Sequence, residues 1–480
     1  MSGSIEPILH IPETVREYTL NYRGKVEKFL AEQTSAVAFR AYRVPMGVYE
    51  QRAAGKFMVR IRIGAGLVLL AQLEKIAQLS NTHGNGIIHI TTRQDIQIHE
   101  VEIGRTPDVL EGLLEAGLSS RGGGGNTVRN VTACPRAGIC PDQKFDVTGH
   151  SIATAEYLLA DRSSFNLPRK YKIVFSGCSA DCAFASVADL GFFAHVENGQ
   201  KGFSAYAGGG LGLNPGIGVR IERFIRRGDR IFTVAEAVKR LFDKHGDRTN
   251  KHKARLRYVL ARVGAEEFIK LYKQERDTLD AEGLPYDAPK IRDIASDYPA
   301  PKGSITVRLW LKNGDIPADD LAKVGQIAAR YGQGLVRTTQ FQDIHLTGVA
   351  PEDVNKVNDE LRKLSVNIFG DGGPTVVACT GAATCKLGLC LSRGLSAAIS
   401  DKLGQTEDSG TVIRISGCPN SCANHYIADI GFQGRAKRVN GRLMPFYDVL
   451  ADARTVEGGA RLAETLGAVP AKRIPDLVAE

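Results

Sequence analysis

The sequence predicts an α+β protein built from a duplicated chain whose two related halves pair about a pseudo-twofold axis. One observation is a repeat at a constant offset of 248 residues: MVRIRIGAG (Met58–Gly66) is matched by TVRLWLKNG (Thr306–Gly314). Another is that each copy continues as a helical pattern, a glycine stop and an apolar strand, which ends in QDIQI (94–98) or QDIHL (342–346). Because each unit contains two strands and a helix, two such units can pair into one sandwich.

Length, charge and composition limit the classes of protein to which this chain can belong. The chain has 480 residues, enough for several domains, and carries a formal net charge of +9. No window is apolar over the ~20 residues that a membrane-spanning helix needs, and the N-terminus lacks a secretory pattern. We therefore expect a cytoplasmic protein with no membrane segment, in which cysteines stay reduced. The charge indicates either an evenly solvated surface or a basic face that attracts an anionic partner.

Eight of the nine cysteines fall into two sets with the same spacing, a C-x5-C pair followed by a C-x3-C pair. Cys390 lies outside the pattern and is predicted to be a core residue. The glycine run 121–125 and the Pro-rich stretch 285–303 are predicted to link the modules. The two sets are Cys134, Cys140, Cys178 and Cys182, and Cys379, Cys385, Cys418 and Cys422.

Four thiolates supplied as two pairs from separate loops suit a cubane [4Fe–4S] cluster. A glycine before Cys178 and before Cys418 lets the backbone turn sharply and approach the cluster sulfides. Zinc is the alternative: C-x3-C fits a zinc knuckle, whereas C-x5-C fits poorly and no histidine joins the pattern. Disulfides are disfavoured by the predicted compartment.

Several motifs, in order, resemble the siroheme- and [4Fe–4S]-dependent sulfite and nitrite reductases, the ferredoxin-type hemoprotein subunits. They are ACTGAATC, SGCPNSCANHYIADIGFQG, RVPMGVYEQRAAGKFMVRIRIGAG, TTRQDIQIHEV, VRNV and LPRKYK. The resemblance implies two ferredoxin-like half-domains and two related siroheme/Fe–S α/β modules. The predicted divisions are an N-terminal arm (1–50), half-domain 1 (51–121), module 1 (126–285), half-domain 2 (303–368) and module 2 (373–480).

The resemblance also implies a role for particular residues. Cys379, Cys385, Cys418 and Cys422 match the cluster ligands, and Cys422 matches the one that bridges to the siroheme iron. Arg93 and Gln97 match residues of the strand region that contacts siroheme. The residues that match the substrate-binding cations are Arg60, Arg129, Lys170 and Lys172. Four cations suit an anionic substrate, because they concentrate it and stabilise charge as its bonds to oxygen break.

The N-terminal cysteines depart from the family, which usually keeps one cluster, in the C-terminal half. We therefore hypothesise a second [4Fe–4S] cluster at Cys134, Cys140, Cys178 and Cys182. The alternative is a vestige with packed thiols. A second siroheme is not expected, because the repeat equivalents of Lys170, Lys172 and Arg129 are Gly410, Val412 and Pro374.

The expected reaction is the six-electron reduction of sulfite to sulfide, with nitrite reduction to ammonia as the alternative. Relatives dedicated to nitrite often carry Asn at the position of Lys172, so this lysine favours sulfite. A non-catalytic iron–sulfur electron-transfer protein is another alternative, although such a protein needs no anion pocket. A nucleic-acid partner is not expected, because basic residues are not interleaved with aromatic ones.

The electron donor is expected to be a separate protein, since no flavin or nicotinamide fingerprint occurs in the sequence. A ferredoxin, typically acidic, fits the net charge of +9. A dedicated reductase subunit is the rival donor.

Overall fold

The computed structural model describes residues 7–226, 228–365, 374–404 and 410–479. The predicted boundaries at 368 and 373 lie outside the described residues. Three helices form the N-terminal arm and are followed by the first half-domain. Its elements are α1 (Glu13–Leu20), α2 (Tyr22–Leu30), α3 (Ala36–Arg43), β1 (Val48–Glu50), β2 (Lys56–Ile61), β3 (Leu67–Leu69), α4 (Leu70–His83), β4 (Ile87–Ile90), β5 (Ile96–Glu102) and α5 (Thr106–Glu115).

Module 1 is a five-stranded sheet in the order β10-β9-β8-β7-β6, covered by helices. The elements are β6 (Thr132–Ala133), α6 (Thr148–Ala160), β7 (Ile173–Ser176), β8 (Leu190–Glu197), β9 (Gln200–Ala207), β10 (Val219–Ile225), α7 (Arg230–His245), α8 (Leu256–Val263), α9 (Ala265–Glu282) and α10 (Ile294–Asp297).

The second copy repeats this order. Half-domain 2 contains β11 (Ile305–Leu309), β12 (Asp315–Pro317), α11 (Ala318–Tyr331), β13 (Leu335–Thr338), β14 (Ile344–Val349) and α12 (Val354–Arg362). Module 2 contains β15 (Thr375–Ala378), α13 (Gly381–Thr384), α14 (Ser392–Leu403), β16 (Val412–Ser416), β17 (Ile430–Val439), β18 (Arg442–Ala451), β19 (Glu464–Pro470) and α15 (Ile474–Ala479), with its sheet in the order β15 to β19.

The two half-domains are joined by an exchange of short strands. β12 of the second copy pairs with β4 of the first, and β3 of the first pairs with β13 of the second. The sheets are therefore β1-β2-β5-β4-β12 and β11-β14-β13-β3. Helices α4 and α11 pack against each other, and one hydrophobic core spans both copies. The predicted pairing of two halves into one sandwich is thus confirmed, with two sheets sharing strands.

One predicted boundary needs correction. The N-terminal arm ends before β1, because Tyr49 pairs with Met58 and the strand belongs to the first sheet. The glycine run 121–125, which was predicted to link half-domain 1 to module 1, is largely buried. It packs against β1 and β2, where a side chain at Gly124 would collide with the Val44 carbonyl oxygen.

Candidate functional site

One face of the first sheet carries a row of polar side chains. Arg60 on β2 lies opposite Gln97 on β5, and Gln97 lies opposite His89 on β4. The exchanged strand β12 extends the row, since Asp315 lies opposite His89. Because side chains alternate along a strand, Val59 points to the other face, where it is buried in the core. The sheet therefore presents Arg60 and Gln97 away from the core.

The two predicted arginines of the anion pocket are held by specific contacts. Arg60 Nη1 lies 3.3 Å from Asp95 Oδ2. Arg129 donates from Nη1 to the Gly123 carbonyl at 2.7 Å and from Nη2 to the Gly125 carbonyl at 3.1 Å. Within the described residues, the Nε atoms of both arginines are buried without a hydrogen-bond partner. Buried, unpaired donors of this kind fit an anionic ligand.

Lys170 and Lys172 lie beside Arg129, because the Arg129 amide donates to the Tyr171 carbonyl at 2.8 Å. Burial and the charge of Arg255 lower the pKa of Lys170 to about 7, which the charge of Cys422 opposes. Burial and the charge of Lys170 hold the pKa of Lys172 well below its usual value. Arg129 and Arg255 are therefore near enough to Lys170 for their charges to lower its pKa.

Arg93 lies at the edge of the same group of cations. Burial lowers its pKa to about 10, and its side chain donates to the Asn130 carbonyl. Gln97 is buried and accepts a hydrogen bond from His99 Nε2 at 3.2 Å. That Arg93 and Gln97 contact siroheme stays a prediction.

The C-terminal cysteines follow two parallel strands. Cys379 comes directly after β15, and Cys418 comes two residues after the end of β16, so both lie at the same sheet edge. The Gly417 amide donates to Cys379 Sγ at 3.2 Å. A side chain on Gly417 would place Cβ 2.6 Å from the Cys390 carbonyl oxygen, so glycine is needed here for close backbone packing. Cys390 itself is buried, as predicted.

Cys422 connects this cysteine set to the cation pocket. It is the exposed member of the set, and its carbonyl accepts a hydrogen bond from Thr92 Oγ1 at 2.7 Å. The neighbouring loop is also docked on the first half-domain, because the Arg52 amide donates to the Thr384 carbonyl at 2.8 Å. The structure therefore brings Cys422 and Lys170 to one place from positions 252 residues apart in sequence.

The N-terminal cysteines occupy the corresponding edge of module 1, after β6 and β7. Cys134, Cys140 and Cys178 are buried and Cys182 is partly exposed. Within residues 7–226, 228–365, 374–404 and 410–479, no three His, Cys, Asp or Glu side chains lie close enough to share a single metal ion. The case for iron–sulfur chemistry at either set thus rests on strand geometry and family.

Sequence reasoning missed three groups near the pocket. Tyr49 accepts a hydrogen bond from Arg129; burial raises its pKa, but the charges of Arg129 and Arg60 outweigh this and lower it. Arg255 contributes charge to both lysines while it pairs with Asp189 at 2.9 Å. Arg393 of module 2 reaches the polar row through Asp315 at 2.9 Å. Of these three residues, only Tyr49 could have been found from the sequence, because it lies within one of the motifs that resemble the family.

Comparisons with known proteins agree with this architecture. The family model described as "Nitrite and sulphite reductase 4Fe-4S domain" matches residues 124–278. The model described as "Nitrite/Sulfite reductase ferredoxin-like half domain" matches residues 49–116 and 291–364. The solved structure of the Mycobacterium tuberculosis NirA protein has the same fold, with a TM-score of 0.80 at 23% identity over 99% of this chain and 93% of that one.

Curated relatives have matching names. Ferredoxin–nitrite reductase of Synechococcus elongatus is 29% identical over 88% of this chain and 85% of its own length. The assimilatory ferredoxin-dependent nitrite reductase of Haloferax mediterranei is 27% identical over 90% and 80%. The sulfite reductase [NADPH] hemoprotein beta-component of Acidithiobacillus ferrooxidans is 26% identical over 79% and 74%.

The fold and these matches define an oxidoreductase that depends on siroheme and a [4Fe–4S] cluster. More particularly, the chain belongs to the nitrite and sulfite reductase family. Within the part of the chain that the structure describes, no helix is long and apolar enough to cross a membrane.

Proposed function

We propose that the chain reduces nitrite to ammonia, with Cys379, Cys385, Cys418 and Cys422 as the ligands of the [4Fe–4S] cluster and Cys422 as the bridge to siroheme. The observation that carries this proposal is the group of cations beside Cys422. Sulfite was the substrate expected from the sequence, but the relatives named above are mainly nitrite reductases, which favours the alternative. The six electrons required are the same for both anions.

When bound by the four C-terminal cysteines, the cluster would deliver electrons one at a time, and siroheme would supply the iron centre for the oxyanion. Arg60 and Arg129 provide fixed donors for the oxygens of the anion, because backbone carbonyls and Asp95 already hold their guanidinium groups. Preorganised donors stabilise developing charge without reorganising during the reaction.

The two lysines add mobile protons. A pKa of about 7 means that Lys170 Nζ holds or releases a proton near neutral pH before any anionic ligand binds. Negative charge in the pocket raises such a pKa, so binding of the anion favours the protonated form. Lys170 and Lys172 then serve as proton donors to the oxygens of the substrate, a role that arginine does not fill.

Siroheme carries eight carboxylates, and further basic groups are needed around its rim. We assign Arg93 in the turn before β5 and Gln97 on β5 to this rim, with Arg255 as a further contributor of charge. Siroheme has many carboxylates, and the pocket contains several cations that are only partly neutralised. The residues present therefore fit siroheme.

Sulfite is the second candidate substrate. The presence of Lys172 favours it, because a second lysine suits the more highly charged anion. The test compares kcat/KM for nitrite and sulfite with a reduced viologen as donor. We expect the larger value for nitrite, and we expect Lys172→Asn to reduce kcat/KM for sulfite more than for nitrite. A wild-type preference for sulfite would reverse the assignment of substrate, and equal losses would remove the role given to Lys172.

The proposed electron donor is a ferredoxin. The relatives from Synechococcus and Haloferax are named for this donor, and the net charge of +9 suits an acidic partner. The oxyanion substrate and this protein donor are the partners that we propose.

A further inference from the structure

Module 1 places its four cysteines as module 2 places its own. β6 and β7 are parallel neighbours, as are β15 and β16. The Cys134 amide donates to the Phe175 carbonyl at 2.9 Å, and the Cys379 amide donates to the Ile415 carbonyl at 3.0 Å. The second cysteine pair begins two residues beyond the end of β7 in one module and of β16 in the other. The N-terminal loops thus keep the backbone geometry of the C-terminal set.

The loops that carry the two N-terminal cysteine pairs lie against each other. The Gln143 amide donates to the Cys140 carbonyl at 3.2 Å, and the Lys144 amide donates to the carbonyl of Gly177, the residue before Cys178, at 2.8 Å. Both cysteine pairs therefore stand at the same edge of the module 1 sheet.

Two arginines contact the N-terminal cysteine set or the loop between its first two members. Arg136 Nη2 lies 3.1 Å from Cys140 Sγ. Arg337, which is only 4% exposed, donates to the Ala137 carbonyl at 3.2 Å, in the loop between Cys134 and Cys140. A cubane with four thiolates carries a charge of about −2 in its oxidised form, which these two arginines offset.

We propose that Cys134, Cys140, Cys178 and Cys182 bind a second [4Fe–4S] cluster, which relays electrons to the cluster held by the C-terminal set. The proposal of the cluster depends on the geometry of module 1, whereas the proposed relay of electrons depends on the proposed function.

A short path of contacts joins the two cysteine sets. Phe184 follows Cys182 by two residues, and its ring lies 4.9 Å from the Arg414 guanidinium. Arg414 is 1% exposed and donates to the carbonyl of Ala423, the residue after Cys422, at 3.2 Å. Phe341 also packs against the guanidinium, 5.0 Å away, and its ring lies 6.0 Å from that of Phe184. The path between the two cysteine sets therefore runs through packed side chains.

The electron balance is simple. A low-potential one-electron donor protein reduces the N-terminal cluster by one electron, and that cluster returns to its oxidised state when it reduces the C-terminal cluster. Repeated single transfers supply the six electrons of the proposed reaction. No atom is transferred and no other reductant is required.

Metal analysis of the full-length chain, purified without oxygen, tests the second cluster. We expect about eight cluster irons and eight acid-labile sulfides per chain, or about nine irons including siroheme. The double variant Cys134→Ser/Cys178→Ser should lose about four irons and four sulfides. Cys390→Ser is the matched control, because this buried cysteine lies outside both sets, and it should lose none.

The proposal of a second cluster is wrong if the wild-type protein contains only about four cluster irons, or zinc in place of the other four. This outcome does not depend on whether the variants fold. Absence of siroheme absorption would contradict the proposed function instead, and would leave the count of eight cluster irons unchanged.

Electron paramagnetic resonance of the reduced wild type tests the relay of electrons between the clusters. We expect mutual broadening of two cluster signals. Two unbroadened signals would contradict electron transfer between the clusters.

Discussion

At the scale of single residues, two arginines that are two positions apart have different roles. The alternation in MVRIRIG places Arg60 and Arg62 on the same face, although only Arg60 lies within β2. Arg62 is 1% exposed and donates to the carbonyls of Val128 and Arg129 at 2.9 and 3.3 Å. It therefore positions the segment that carries Arg129, whereas Arg60 faces the pocket. Periodicity predicted the face but not this division of roles, which depends on a segment more than sixty residues away.

Arg129→Gln should lower kcat with nitrite by about a hundredfold, because it removes a preorganised donor to the anion. Steady-state kinetics with a reduced viologen measure the effect, and siroheme absorption shows whether the cofactor remains bound. Arg362→Gln is the control, since this arginine is exposed on α12 and pairs only with Asp359 among the contacts described. An activity loss no larger than that of the control would exclude Arg129 from the pocket chemistry.

At the scale of elements, the exchange of β3 and β12 decides how the halves pair. Each exchanged strand follows a tight turn that ends in a glycine with positive φ, Gly66 at +79° and Gly314 at +73°. The sequence repeat revealed both turns, but a repeat does not tell whether a short strand pairs within its own copy or with the other. That choice comes from long-range strand pairing and burial, as for Ile316 opposite Ile88.

Gly314→Ala should lower the free energy of unfolding by about 2 kcal/mol more than Gly334→Ala does. Both glycines have nearly the same positive φ, so the backbone strain is shared. A Cβ at Gly314 would lie 2.6 Å from the Ile90 carbonyl oxygen, whereas a Cβ at Gly334 meets nothing within 4 Å. Urea denaturation followed by circular dichroism measures the difference. Equal losses would show that close packing at the exchanged strand is not limiting.

At the scale of the whole molecule, duplication produced two cysteine sets but one cation pocket. The pocket takes Arg60 from half-domain 1, Lys170 from module 1 and Cys422 from module 2. Arg414 of module 2 instead packs against the rings of Phe184 and Phe341. The proposed reduction requires electrons from a donor protein, and the net charge of +9 affects how that donor binds.

Raising ionic strength from about 0.02 M to about 0.3 M should lower kcat/KM for an acidic ferredoxin roughly tenfold or more, because salt screens attraction between the proteins. Reduced methyl viologen is a cation and should show no such loss. The two donors are compared with the same enzyme preparation and saturating nitrite. If both respond equally to salt, attraction of an acidic donor does not govern electron delivery.

The sequence by itself determined the duplication, the α+β class, the two cysteine sets and the family, because repeats, strand periodicity and spacing are local properties of the chain. Tertiary structure decided the exchange of strands, the burial of the glycine run and the structural role of Arg62. It also brought Lys170 beside Cys422 and placed Tyr49, Arg255 and Arg393 around the pocket. These features depend on contacts between residues far apart in the chain, whose free energies of burial and pairing no local pattern contains.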